Sequence, residues 1–73
     1  MSAGAKRVYY KRKDLPTLFR IVDDLRERFP SLDTGRVAAA VGRRYEDMDL
    51  GRSGDFEPER FEHLVAQDLA KAS

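Results

Sequence analysis

Three prolines divide the sequence into helical segments and constrain the fold more than any other feature. Pro16 and Pro58 each follow acidic residues closely, as prolines do in the first turn of a helix. Pro30 ends a helical pattern, because proline cannot continue a helix. Apolar residues elsewhere recur at the helical period, and only the short stretch RVYY alternates as a strand would. The sequence therefore predicts an all-α fold.

The predicted architecture is a compact three-helix bundle over residues 14–73 that follows a flexible basic arm over residues 1–13. The three helices are expected at residues 15–29, 34–48 and 56–71. Their predicted N-caps are Asp14, then Asp33 or Thr34, then Asp55. The stretch MDLGRSGD, with its two glycines, is predicted to be a loop.

The chain is short and has no covalent staple. Its 73 residues include no cysteine and one histidine, which excludes a disulfide, a thiolate metal site and a histidine zinc centre. A single small domain of this kind gains stability most readily by oligomerisation. No apolar run could cross a bilayer or serve as a signal peptide, so we expect a cytoplasmic protein with no membrane partner.

The first helix has an unusually broad apolar face. Five apolar residues from Leu15 to Phe29 form one stripe, and Phe19 and Ile21 widen it to about 160° at the helical repeat of 100° per residue. Such a face indicates burial against more than one neighbour. We therefore expect a homodimer or a complex with another protein, and the interface candidates are Phe19, Ile21, Leu25, Phe29, Arg44, Tyr45, Phe56, Phe61 and Asp68.

Two charged residues occupy apolar stripes, Arg44 in the second helix and Asp68 in the third. In one interpretation Arg44 extends its head to water and Asp68 lies at a frayed helix end. In the other the two side chains form an ion pair, within one chain or across a dimer.

Two further positions have more than one interpretation. Gly42 lies inside the second helix at a cost of up to about 1 kcal/mol relative to alanine, which close packing between helices would explain. Phe56 lies off the stripe of the third helix. It is either a hydrophobic staple at the helix start, which we favour, or an exposed anchor for a partner.

The N-terminal arm is the one stretch with a nucleic-acid character. Residues 1–13 carry five cations and no acid, whereas the rest has nine basic and thirteen acidic residues. The arm could therefore contact phosphates and stack on bases. Alternatively it is a solubilising terminus or docks on the acidic body of its own or a partner chain. The candidates for nucleic-acid contact are Lys6, Arg7, Tyr9, Tyr10, Lys11, Arg12 and Lys13.

Other chemical motifs fail at specific positions. A helix-turn-helix would need apolar residues at Arg43 and Gly51, and its recognition helix would be acidic. A calcium loop starting at Asp47 would place Arg52 where the glycine belongs. His63 has no partner that would orient it as a general base, so no enzyme, cofactor or small-molecule substrate is expected.

Two short motifs carry a resemblance to a known family. The stretches RFP and DFEP, with spaced apolar residues between and after them, resemble the actinobacterial three-helix bundle dimerisation domains, which occur alone or N-terminal to low-molecular-weight phosphatase-like proteins. The resemblance covers residues 18–69, and the matching residues are Leu25, Arg28, Phe29, Pro30, Val37, Val41, Tyr45, Asp55, Phe56, Pro58, Glu62 and Leu69.

The resemblance implies a non-catalytic module that associates with itself through its helices. The chain departs from the pattern in a longer loop, in Glu59 and Arg60 where apolar residues are usual, and in its basic arm. The predicted function is therefore homodimerisation or protein interaction. The alternative is a small nucleic-acid-binding regulator that uses the arm on a helical platform.

Overall fold

A computed structural model of the chain describes residues 10–53 and 55–72, and within these ranges it contains helices and no strand. The predicted all-α fold is confirmed. A 3-10 turn and four α-helices follow one another along the chain: the turn Arg12–Asp14, α1 Leu15–Arg28, α2 Thr34–Asp47, the short α3 Leu50–Ser53, and α4 Pro58–Ala72.

The connection between α1 and α2 follows the sequence signals. The Phe29 N–H donates to the Leu25 carbonyl at 2.8 Å and closes α1, and Pro30 lies in the turn that follows. Asp33 then has extended backbone, and its Oδ1 accepts a hydrogen bond from the Arg36 N–H at 2.7 Å. This satisfies a donor that the first turn of a helix otherwise leaves unpaired. The predicted cap of the second helix is confirmed at Asp33.

The fourth helix begins two residues later than predicted, with Pro58 as its first residue. The Glu57 carbonyl accepts from the Phe61 N–H at 2.9 Å, which puts the N-cap at Glu57 rather than Asp55. Phe56 precedes that cap and meets Phe61 edge-on, with ring centroids 5.2 Å apart. These are the two positions of a hydrophobic staple, as predicted for Phe56.

The predicted loop between the last two long helices contains the extra helix α3. Asp49 has a φ of 54°, in the left-handed region, and its N–H donates to the Glu46 carbonyl at 2.9 Å. This turn ends α2 and brings Leu50 into the core, where it is 3% exposed. The loop prediction is wrong here because burial of Leu50 outweighs the glycine-rich composition that favours an irregular stretch.

The core lies between the three long helices, and α2 packs against both α1 and α4. Each helix contributes side chains at the helical spacing, and Leu50 of α3 covers one end. The buried apolar residues are Leu18, Ile21, Leu25, Val37, Val41, Tyr45, Leu50, Phe61, Val65, Ala66 and Leu69. In the described ranges, none of the helices has the length and apolar character needed to span a membrane.

Candidate interaction surface

The most exposed large apolar side chain in the described part of the chain is Phe19, on α1. Phe19 is 66% exposed, whereas Leu18 and Ile21 beside it in the helix are buried. Leu15 and Val22 lie one turn before and after Phe19 and are half-buried against the core. These three residues form an apolar edge on the surface of α1, which we call the Phe19 edge.

Phe19 lies on the opposite side of α1 from Arg28, a residue that contacts α4. Arg28 approaches Glu62 of α4 at 3.9 Å and so marks the α4 side of α1. Arg28 comes nine positions after Phe19 in the helix. At about 100° per residue, the two side chains lie half a revolution apart around the axis. A partner could therefore reach Phe19 without displacing α4.

Four of the predicted interface residues are unavailable to a partner, and this prediction is wrong for them. Each is at most 1% exposed because the bundle closes over the side of the helix that carries it: Ile21, Leu25, Tyr45 and Phe61. Phe29 and Phe56 are half-buried and pack against the same core. Most of the broad apolar face of α1 is thus buried within the bundle, and Phe19 is the part of that face that stays exposed.

Arg44 and Asp68 form an ion pair between α2 and α4 within one chain, one of the arrangements predicted for them. Arg44 donates to Asp68 twice, from Nε to Oδ2 at 2.9 Å and from Nη2 to Oδ1 at 2.6 Å. The side chains are 28% and 37% exposed. These hydrogen bonds raise the pKa of the Arg44 guanidinium above its ordinary value, against an opposing effect of partial burial.

The Tyr45 hydroxyl joins the start of the bundle to its core. It donates to Oδ2 of Asp14 at 2.8 Å and accepts from the Lys11 N–H at 3.2 Å. Burial raises the pKa of Tyr45 above its ordinary value, and the bond to Asp14 acts in the same direction while the Lys11 N–H opposes it. Asp14 is the N-cap residue of α1, as predicted, but its side chain is 6% exposed and makes no cap hydrogen bond to the helix.

Residues 10–13, which the sequence analysis assigned to the flexible arm, pack on the body. The Tyr10 ring stacks on the Tyr45 ring, with centroids 5.0 Å apart and planes 29° apart. A Cβ added at Gly42 would lie 2.7 Å from the Tyr10 hydroxyl oxygen. Gly42 therefore accommodates Tyr10, and the explanation by helix packing is wrong.

The nucleic-acid candidates divide into three groups. Lys6, Arg7 and Tyr9 lie outside the described residues. Tyr10 is 41% exposed, and one face of its ring is covered by Tyr45. The remaining cations belong to or adjoin the 3-10 turn: Lys11 is half-buried, and Arg12 and Lys13 are exposed.

The other polar groups show no arrangement for acid–base chemistry or metal binding in the described ranges. His63 is exposed on α4, and its Nε2 lies 3.2 Å from Nε2 of Gln67, one turn along the same helix. No set of three or more histidine and carboxylate residues there could hold a metal ion. The sequence did not predict the hydrogen bond of Asp14 to Tyr45, because the two residues are 31 positions apart and no local pattern connects them.

Comparison with known proteins finds no relative: no family model, curated protein or solved structure matches the chain. The resemblance to three-helix bundle dimerisation domains stays a prediction that rests on the residues quoted for it. The chain's function is therefore inferred from its own surface.

Proposed function

We propose that the protein is a non-catalytic homodimerisation module of the cytoplasm that associates through the Phe19 edge of α1. The observation that carries this proposal is the exposure of the Phe19 ring beside the half-buried Leu15 and Val22. An exposed aromatic residue between partly covered aliphatic ones is the usual composition of an interface anchor. On a two-fold axis the same edge serves both copies.

The size of the edge sets the expected affinity. Burying Phe19 contributes about 2 kcal/mol per copy, whereas association costs about 4–15 kcal/mol in lost freedom of motion. Phe19 alone is therefore too small an anchor, and Leu15 and Val22 of both copies must be covered as well. We expect a dimer with a dissociation constant in the micromolar range.

The charges of α1 favour an antiparallel pairing. If two copies of α1 cross antiparallel at Phe19, residues 11–13 of one lie beside residues 25–27 of the other. The first stretch holds three cations, whereas the second holds Arg26 and Glu27 and has no net charge. A parallel pairing would instead bring the two cationic stretches together, which repels.

Nucleic-acid binding through the arm is the weaker alternative. Two residues that would contact bases and phosphates are partly covered by the body of the protein. Tyr10 already stacks on Tyr45, and Lys11 is half-buried beside it. Arg12 and Lys13 remain exposed and could contact phosphates. Binding of this kind would be lost in about 0.5 M salt, whereas association through apolar contacts would persist.

The proposal is tested by replacing Phe19 with glutamate and measuring mass in solution by sedimentation. Phe19→Glu puts a charge where we expect the two copies to meet, so the variant should be monomeric at concentrations where the wild type is a dimer of twice 8.4 kDa. Its helical circular dichroism should be unchanged, because residue 19 is exposed.

Gln67→Glu is the matched control, since it adds the same charge at an exposed position of α4. It should associate as the wild type does. A wild-type dimer that persists in Phe19→Glu would reject the Phe19 edge as the interface while leaving self-association in place. A monomeric wild type would reject the function itself.

A further inference from the structure

A second surface lies between α2 and α4, where a shallow groove of about 700 Å³ runs along the two helices. Ala39 and Ala40 lie in this groove, and neither side chain extends beyond Cβ. The Arg44–Asp68 ion pair joins the two helices beside them. A partner could therefore approach the α2 backbone closely, as small residues allow in helix–helix contacts.

The groove carries an ordered row of charge along α2. Arg36 and Arg43 are seven residues apart, which is about 10 Å along the axis and only about 20° in rotation. Asp47 follows one turn after Arg43 on the same face. Ala40 lies between the two arginines, so the row reads positive, small, positive, negative.

Three of the four cations of this groove have no ion-pair partner among residues 10–53 and 55–72. Arg36, Arg43 and Lys71 are exposed, and the ion pairs in those ranges involve other residues. Arg44 is held by Asp68, and Asp47 also attracts the Arg44 guanidinium. The groove thus presents three cations that form no ion pair in the described ranges. The Asp47 carboxylate lies next to them.

This mixed row fits a protein helix better than a nucleic acid. A phosphate backbone is uniformly negative, and Asp47 would repel it. A helix with acidic residues at positions i and i+7, a small residue at i+4 and a basic residue at i+11 would match every charge of the row. No segment of this chain has acids and a base at that spacing in either direction, so a second copy would not satisfy the groove.

We propose that the α2/α4 groove docks a helix of a different protein, one that carries two acidic residues two turns apart and a basic residue one turn beyond them. This goes beyond homodimerisation and uses another face of the molecule. The Phe19 edge would bring two copies together, and each copy would then hold one acidic helix. The dimer would act as a two-site adaptor.

Designed helical peptides test this docking by fluorescence anisotropy with the full chain. Two labelled peptides carry the matching pattern, one in each direction, and a third has the same composition with its acids moved to the opposite face. We expect one of the matched peptides to bind and the third to bind at least about tenfold more weakly. Arg36→Glu with Arg43→Glu should abolish that preference, and a peptide with lysines in place of the acids should restore binding to this variant.

Arg36→Gln with Arg43→Gln is the second variant, which keeps the test decisive if charge reversal disturbs folding. It should also lose the preference for the matched peptide while its mass in solution stays that of the wild type. Equal binding of matched and displaced peptides, or no saturable binding, would overturn the proposal. Tighter binding of a single-stranded oligonucleotide at the same arginines would also overturn it in favour of a nucleic-acid site.

Discussion

At the scale of single residues, Tyr45 connects the start of the bundle to its core. Its ring contacts three other aromatic rings, and its hydroxyl holds the Asp14 carboxylate and the Lys11 N–H. Removing that hydroxyl would take a hydrogen bond from the buried Asp14 carboxylate and from the partly buried Lys11 N–H. The start of the bundle therefore depends on one oxygen atom in the last turn of α2.

Tyr45→Phe should lower the free energy of unfolding at neutral pH by about 1–3 kcal/mol, because Asp14 and Lys11 lose their partner. The pKa of Tyr45 is raised in the folded protein. Above a pH of about 10, the folded state therefore binds more protons than the unfolded state, and the wild type loses stability as pH rises. The difference between wild type and variant should shrink over that range in urea titrations. A difference that is constant from neutral pH to pH 11 would contradict this account.

Gly42 and Tyr10 should be coupled, because a methyl group at position 42 meets the Tyr10 hydroxyl. Gly42→Ala gains up to about 1 kcal/mol of helix propensity but displaces Tyr10 from Tyr45. In a Tyr10→Ala background the same change has no such cost and should stabilise the protein. A double-mutant cycle measured by thermal unfolding gives the coupling directly. If Gly42→Ala has the same effect in both backgrounds, Tyr10 does not occupy the place described.

At the scale of helices, the sequence predicts what local chemistry decides. Asp33 caps α2, Pro58 lies in the first turn of α4, and the Phe56–Phe61 contact is a staple, all within a few positions along the chain. Besides the shifted start of α4 and the missed α3, the failures involve partners far apart. The Asp14–Tyr45 bond spans 31 positions, and Gly42 meets Tyr10 from another segment, so no local pattern marks either contact.

The Arg44–Asp68 pair should stabilise the packing of α4 on α2 by a modest amount. The pair is bidentate but about one-third exposed, so solvent screens it, and we expect Asp68→Ala to cost about 1 kcal/mol. The cost should fall in about 0.5 M salt. Arg28→Ala, which breaks the looser 3.9 Å contact with Glu62, is the control and should cost less. Equal costs for the two changes in urea unfolding would contradict the assignment.

At the scale of the whole molecule, the sequence predicted the fold class and only part of the surface. Periodicity identifies α1 as broadly apolar, but it cannot say which side the other helices cover. The structure shows that Ile21 and Leu25 are inside and Phe19 is outside. The α2/α4 groove was not foreseen. The spacing of its α2 charges can be read from the sequence, but only packing brings Asp68 and Lys71 of α4 to the same groove.

The mass of the wild-type chain in solution tests the central claim most directly. Sedimentation from about 1 to 200 μM spans the dissociation constant that the small apolar edge implies. The account predicts a shift from 8.4 kDa to twice that mass with rising concentration, equally in low salt and in about 0.5 M salt. A monomer throughout, or a dimer that dissociates in high salt, would contradict association through the Phe19 edge.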